Sequence, residues 1–216
     1  MADYTLYGFA QSGNCYKVAL CLELAGAPFT VRPVDYFNGE TRTPAYRAIN
    51  EMGEAPVLEH GDLRLTQSGV ILDYLAERFS PFAVPGAGTD PAVRREVWRW
   101  LLWDNHKLTS YTATYRYFRV LAPAAAREPA VLAEFGKRAR AAWQILNDHL
   151  AGRAYVIGER LSIVDLSICG YLFFDDELGV DWSAEFPHVS AWLGRIRAQP
   201  RWKSPYQLLP RAALQP

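Results

Sequence analysis

The sequence predicts an α+β chain in two parts: a β-α-β-α-β-β-α domain over residues 1–80 and an all-α domain over residues 91–216. Three observations carry this. Up to residue 80, short β-prone runs alternate with stretches of helical period. From 81 to 90 the chain is rich in proline, glycine and small residues and reads as a linker. From 91 to 200 the apolar pattern is helical throughout.

The first domain is organised around its opening residues. Leu6 to Phe9 is a short apolar strand. From Val18 the period changes, with Val18, Cys21, Leu22 and Ala25 on one helical face and Gly26 as a stop. Between them, Gln11-Ser12-Gly13-Asn14 forms a polar bend at the mouth of a helix. A helix N-terminus exposes unpaired N–H groups and the positive end of a dipole. Ser12 and Asn14 can therefore act there as helix caps or as donors to an anion.

A second strand, Phe29 to Val34, contains Pro33, which suits an edge or a strand end. Thr43-Pro44 opens a short helix as N-cap and first helical residue. The runs 56–60 and 63–65 flank Gly61-Asp62 and read as a hairpin. Ser68 is the expected N-cap of a helix with Ile71, Tyr74 and Leu75 on one face. A βαβ unit followed by ββα is the thioredoxin-like order. In it the strand after Ala55 is internal, although Pro56 has no N–H. A cis Ala55-Pro56 bond reconciles the two.

Asp90-Pro91 starts a long helical run to about Leu121, with Tyr111, Tyr115 and Phe118 in one stripe and further aromatics, Trp103 among them, around it. Such a stripe can be core or can cover something flat and apolar. A further helix runs from about Pro129 to Leu150. Ser162-Ile163-Val164-Asp165 forms a capping box. The body that follows, Leu166 to Leu178, is apolar almost all round and is expected to be a central buried helix. Pro187 opens the last clear helix, with Val189, Trp192, Leu193 and Ile196 inward.

Lysine plus arginine number 23, as do aspartate plus glutamate. Zero net charge argues against a nucleic-acid or anionic-membrane surface, because both want a basic excess. The three cysteines, Cys15, Cys21 and Cys169, form no C-x-x-C pair. They indicate a reducing compartment rather than a disulfide framework. With no secretory pattern near Met1 and no long apolar run, the expected location is the cytoplasm.

The order of elements, the S-x-x-D box and four local motifs together resemble the cytosolic glutathione transferase family over about residues 4–205. The motifs are Ser12-Gly13-Asn14-Cys15, Ala55-Pro56, Gln67-Ser68 and Ser162-x-x-Asp165. The resemblance is to bacterial members with a theta-, zeta- or nu-like serine–asparagine site. It implies glutathione as co-substrate, no metal, a homodimer and a role in detoxification. Ser12 aligns with the serine that stabilises the glutathione thiolate in theta-, delta- and zeta-type members. Asn14 aligns with an asparagine of nu-type members. Cys15 falls just beyond the reactive cysteine of beta-type members, toward helix packing.

The same resemblance implies that the Ala55 backbone beside Pro56 pairs with the cysteinyl residue, while Gln67 and Ser68 hold the γ-glutamyl carboxylate. Thr41 and Glu54 stand where relatives carry glycine-end ligands, and an acidic Glu54 departs from the usual lysine or glutamine. A second-substrate site is implied for Phe9, Gln11, Trp103, His106, Lys107, Tyr111 and Tyr115, with a flat hydrophobic electrophile as ligand. The activity so implied is transfer of the glutathione thiolate to an alkyl or aryl electrophile. Alternatives are glutathione-dependent disulfide or peroxide reduction of the nu type, or a non-catalytic binding module on the same fold.

Overall fold

The computed structural model describes residues 3–214. The chain divides into two compact units, Met1–Ser80 with Gln199–Pro216, and Pro81–Ala198.

The first unit is built on a four-stranded sheet of order β2-β1-β3-β4. Strand β1, Tyr4–Gly8, leads into helix α1, Gly13–Ala25, which Gly26 ends in the left-handed conformation at φ 69°. Strand β2, Phe29–Pro33, runs parallel to β1 at the sheet edge, so the missing N–H of Pro33 leaves no ladder bond unmade. Helix α2, Pro44–Arg47, is a single turn capped by Thr43. Strands β3, Val57–His60, and β4, Leu63–Thr66, form the expected hairpin. The Ala55-Pro56 bond is cis, and β3 is internal, antiparallel to both β1 and β4.

Helix α3, Ser68–Arg78, corrects one expectation. Its N-cap is Gln67, and Ser68 is the first helical residue. Gln67 adopts φ 65°, a conformation few side chains favour, and this carries the chain abruptly from β4 into α3. Ser68 is thereby buried, its hydroxyl turned toward another element instead of back onto its own helix.

Residues 199–214, expected with the helical domain, belong to the first unit. They carry the short C-terminal helix α11, Pro205–Leu208. The Ala10 N–H donates to the Pro210 carbonyl at 2.7 Å, Tyr16 Oη to the Lys203 carbonyl at 2.8 Å, and Arg201 Nε to the Glu23 carbonyl at 2.8 Å. The expected reading rested on contiguity in sequence, and these contacts span nearly the whole chain.

The second unit is helical among its described residues, as expected. Helix α4, Pro91–Trp103, is capped by Asp90 and continues without a break through a π-helical segment, Asp104–Thr109, into α5, Ser110–Arg116, and a second π-helical segment, Tyr117–Leu121. Phe118 lies in the second π-helical segment, where its ring meets Tyr117 edge-on at 5.3 Å. Helix α6, Pro129–His149, receives the stripe: Tyr111 lies 6.4 Å from Phe135, and Tyr115 lies over Gly136 and 6.2 Å from Trp143.

The capping box is present. Ser162 caps α7, Ile163–Ile168, and every residue of that helix is buried. The long central helix expected to run to Leu178 is shorter. After a 3-10 turn, Cys169–Tyr171, the chain restarts as α8, Asp175–Leu178. Three acidic residues, Asp175, Asp176 and Glu177, occupy the first turn of α8, where negative charge favours a helix start over a helix middle. Helices α9, Trp182–Glu185, and α10, Pro187–Arg197, complete the unit, with Val189, Trp192, Leu193 and Ile196 buried as the periodicity predicts.

Candidate active site

The β1–α1 connection is a polar bend closed by its own hydrogen bonds. The Ser12 N–H donates to the Phe9 carbonyl at 3.2 Å, closing a tight turn, and the Ser12 hydroxyl accepts the Cys15 N–H at 3.2 Å as helix cap. Ser12 is buried, and Asn14, two residues on, is half-buried in the first turn of α1. The bend is also held from outside. The Gln11 carboxamide accepts the Ala212 N–H at 2.9 Å and donates to the Ala212 carbonyl at 2.7 Å. Gln11 thus fastens the bend to residue 212, a role that no local sequence pattern signals.

Gly8 and Cys15 pack with no room to spare. A Cβ on Gly8 would lie 2.9 Å from Cys15 Cβ and 3.0 Å from its Sγ. Cys15 Cβ is fixed by α1, so strand and helix would have to part. Gly8→Ala is expected to cost about 1–3 kcal/mol in urea unfolding. A loss below about 0.5 kcal/mol would show that the strand–helix approach is softer than this geometry implies.

Two helix N-termini meet at this bend. Ser68 Oγ, at the start of α3, donates to Asn14 Oδ1, at the start of α1, at 3.3 Å. Next to Ser68, Gln67 Nε2 donates to the Glu54 carboxylate at 2.8 Å and lies 3.1 Å from Met52 Sδ. The Glu54 carbonyl accepts from Tyr46 Oη at 3.1 Å and Asn50 Nδ2 at 2.8 Å, which fixes the approach to Ala55 and the cis proline. Thr41 is buried in a 3-10 turn, Glu40–Arg42, whose carbonyl lies 2.8 Å from where a Gly53 Cβ would be. The loop carrying Thr41 therefore touches the loop carrying Glu54.

Ser12, Asn14, Thr41, Glu54, Ala55, Pro56, Gln67 and Ser68 all belong to the first unit, and the contacts above connect them. Glu54 lies at the Gln67 end of this set, bound to the carboxamide. Phe9, buried, stacks on Tyr36 at 5.0 Å and meets Phe37 edge-on at 5.8 Å. Sequence reasoning missed Tyr36 and Phe37. The available signal was an aromatic pair in a loop directly after an edge strand, with Tyr36 exposed.

Five other candidates lie in the second unit. Trp103 meets Trp100 edge-on at 5.2 Å. His106 is exposed on the first π-helical segment, and Lys107 Nζ donates to Tyr111 Oη at 3.3 Å. That segment is anchored by Asp104, fully buried, which accepts from Thr109 Oγ1 at 2.7 Å and Ser167 Oγ at 2.6 Å. Tyr111 and Tyr115 spend one face on α6, as described above.

All three cysteines are buried and outside any disulfide. Burial pushes the Cys15 thiol up to about 11, against hydrogen bonds with Ser12 and the Phe9 backbone, and the Cys21 thiol up to about 12. Both are thiols at neutral pH, so neither has the thiolate character of a reactive cysteine. Among the described residues, no group of histidine, cysteine, aspartate or glutamate side chains could hold a metal ion, and no helix is long and apolar enough to cross a membrane.

The bend can stabilise a small anion. It offers the positive ends of α1 and α3, free N–H groups in their first turns, and the hydroxyls and amides of Ser12, Asn14, Gln67 and Ser68. A thioredoxin-like domain bearing such a bend and a cis proline, joined to a helical domain, is the class of protein defined here.

Comparison with known proteins narrows the class. The family model described as the N-terminal domain of glutathione S-transferase matches residues 6–83, and the one described as its C-terminal domain matches residues 108–200. Glutathione S-transferase 4 of Zea mays is 29% identical over 210 residues, covering 95% of this chain and 92% of its own length. Among solved structures, a glutathione S-transferase from Pseudomonas fluorescens has 31% identity and a TM-score of 0.83, over 94% of this chain and 98% of that one. The theta class glutathione S-transferase of Xanthomonas axonopodis pv. citri, solved with glutathione bound, has 29% identity and a TM-score of 0.83, over 97% of this chain and 98% of that one. The chain belongs to the glutathione S-transferase family of enzymes.

Proposed function

We propose that this protein binds glutathione along the first unit and activates its thiol through the Ser12 hydroxyl for attack on a hydrophobic electrophile. The observation that carries this reading is the meeting of two helix N-termini at the Ser68–Asn14 hydrogen bond, with Ser12 capping one of them. An unperturbed thiol has a pKa near ~8.5, leaving a few per cent as thiolate at neutral pH. A hydroxyl donor and a helix dipole together favour the anion. The thiol proton passes to solvent, the sulfur lone pair forms a C–S bond at the electrophilic carbon, and the leaving group departs with its bonding pair. The protein contributes activation and proximity, without a covalent intermediate on its own side chain.

In this reading the γ-glutamyl carboxylate lies at Ser68 and the first turn of α3, and the Ala55 backbone pairs with the cysteinyl residue in extended form. Glu54, drawn toward Gln67, serves the γ-glutamyl ammonium better than the glycine carboxylate, which it would repel. Thr41 belongs to the glycine end. The Phe9–Tyr36–Phe37 cluster offers flat apolar surface to an aromatic electrophile. The reading includes a cytoplasmic, detoxifying role. It also includes a homodimer, supported by Met52, Leu63 and Val70, large apolar side chains exposed on the first unit. Light scattering of the purified protein should give twice the mass of one chain, and a monomer at working concentration ends that part of the reading.

A second reading, glutathione-dependent disulfide reduction, is favoured by one observation. Ser68 holds the carbonyl oxygen of Asn14, which leaves its amide nitrogen for a ligand. Retention on glutathione-agarose and turnover of a chlorinated nitrobenzene, lost in Ser12→Ala, support the first reading. Activity mainly toward hydroxyethyl disulfide, lost in Asn14→Ala and kept in Ser12→Ala, replaces it with the second. Retention with neither activity leaves a binding module.

A further inference from the structure

We infer that the second unit carries a binding pocket for a small organic oxyanion, a carboxylate or phosphate on a compact apolar body, between α10 and the turn that follows α6. The inference stands apart from the serine reading, because every residue lining the pocket lies between 150 and 195.

Two stretches build the pocket. On α10, Val189, Trp192, Leu193 and Ile196 are buried inward, which leaves His188, Ala191 and Arg195, at i, i+3 and i+7, as a second stripe along the helix. Opposite them, α6 ends at His149, and Gly152 takes the left-handed conformation at φ 72° in the turn beyond it. The α10 stripe and the turn from Leu150 to Ala154 together line a cavity of about 330 Å³.

Its walls are fixed without a ligand. Arg195 Nε donates to the Ala154 carbonyl at 2.8 Å and Arg195 Nη2 to the Arg153 carbonyl at 3.1 Å, which ties the helix to the turn. Val156, just beyond, is held twice: its carbonyl is bonded to His149 Nε2 at 2.8 Å, and its N–H donates to the Asp165 carboxylate at 2.9 Å. A preformed cavity spends little on ordering when it binds.

Charge selects the ligand. Arg153, Arg195 and His188 line the cavity, and among the described residues no aspartate or glutamate does. Elsewhere in this unit Arg99, Arg138, Arg140 and Arg197 each hold a carboxylate. Arg153 is different: its side chain is exposed and has no hydrogen-bond or ion-pair partner among the described residues. Guanidinium groups sharing one cavity repel, and an oxyanion between them relieves that repulsion. The planar fork of arginine matches the paired oxygens of a carboxylate or phosphate. Leu150, Ala154 and Ala191 supply apolar wall, which a bare inorganic ion would leave wet and a hydrocarbon or aromatic body would cover.

The test is calorimetric titration at low salt of the full-length wild type, Arg153→Gln, Ala191→Glu and Ala191→Gln. Both positions are exposed, so the fold tolerates the changes. The probes are benzoate, phenyl phosphate, inorganic phosphate and the neutral benzamide. Benzoate or phenyl phosphate is expected to bind wild type with a Kd of ~0.1–1 mM, the tighter of the two telling carboxylate from phosphate as the headgroup. Benzamide and inorganic phosphate should bind at least about tenfold more weakly, and Arg153→Gln should weaken the organic anions about tenfold. Ala191→Glu, which puts a carboxylate into the pocket, should bind them about tenfold more weakly than its isostere Ala191→Gln. Anions bound equally well by wild type and Arg153→Gln are held elsewhere, and the pocket falls whatever becomes of Ser12. Benzamide as tight as benzoate, or inorganic phosphate as tight as phenyl phosphate, overturns the ligand class. No binding of either organic anion at tens of millimolar ends the inference outright.

Discussion

Replacing Ser12 by alanine is expected to lower kcat/KM toward a chlorinated nitrobenzene about twentyfold at pH 7, with the deficit closing as pH rises toward 9. Ser12 is proposed to lower the bound thiol's pKa by about two units, a differential stabilisation of ~2.7 kcal/mol. That moves the thiolate fraction at pH 7 from about three per cent to about three-quarters. The sign follows from the chemistry. The group lowered is an acid whose ionised form reacts, so the rate advantage is largest below both pKa values, shrinks between them and vanishes above both. The substitution also removes the cap of α1, whose hydroxyl accepts the Cys15 N–H, and should cost about 1 kcal/mol of stability. A loss of stability is therefore expected in either case and decides nothing. The pH dependence of the rate separates the two roles. A deficit that stayed constant from pH 6 to pH 9 would mean that the serine only holds the helix.

The largest effect on stability is expected at Asp165. Its carboxylate accepts four hydrogen bonds: from Val156 N–H at 2.9 Å, Trp192 Nε1 at 2.9 Å, Ser162 N–H at 3.0 Å and Ser162 Oγ at 2.9 Å. It is fully buried, and burial raises its carboxyl pKa against the pull of those four donors. Oδ1 faces the Val156 and Trp192 N–H groups and Oδ2 faces the Ser162 N–H, so an amide in either orientation would turn its NH2 group toward at least one N–H donor. Asp165→Asn is expected to cost about 3–5 kcal/mol, and Asp165→Ala at least as much, because several buried donors lose their acceptor at once. This is a large share of the ~5–15 kcal/mol that holds a typical protein folded. Urea unfolding of both variants at neutral pH measures it. A cost under about 1 kcal/mol would mean that water or a shifted backbone satisfies these groups, and that the cluster is not the centre of the unit.

Much of this architecture is legible in the sequence itself. The switch from period two to period 3.6 placed β1 and α1, Gly61-Asp62 placed the hairpin, and the conflict between Pro56 and an internal strand pointed to the cis bond that is found. Ser162-x-x-Asp165 was readable because a capping box is a local device. The further duties of Asp165, toward Val156 and Trp192, join segments 9 and 27 residues away and leave no periodic mark.

Ser68 shows the limit at the site. Spacing alone makes it a cap, but the backbone angle at Gln67 shifts the helix start by one residue and sends the hydroxyl to Asn14, 54 residues away. The π-helical turns were likewise invisible, because an aromatic stripe at i, i+4 and i+7 assumes the ordinary turn throughout. The break after α7 had a visible cause in the acidic run Asp175-Asp176-Glu177, outweighed in the sequence reading by the apolar residues before it.

The fastening of Gln11 to Ala212, across 201 residues, bears on how the protein is made. A ribosome releases the β1–α1 bend early, yet the strand of chain that braces it emerges only after the whole helical unit has been synthesised. The N-terminal unit therefore does not mature as an independent early product in the way that successive domains often do. A nascent chain stalled before residue 203 would carry its sheet and helices but a slack anion-binding turn, and the capacity to hold a ligand would arrive with the latest-translated segment.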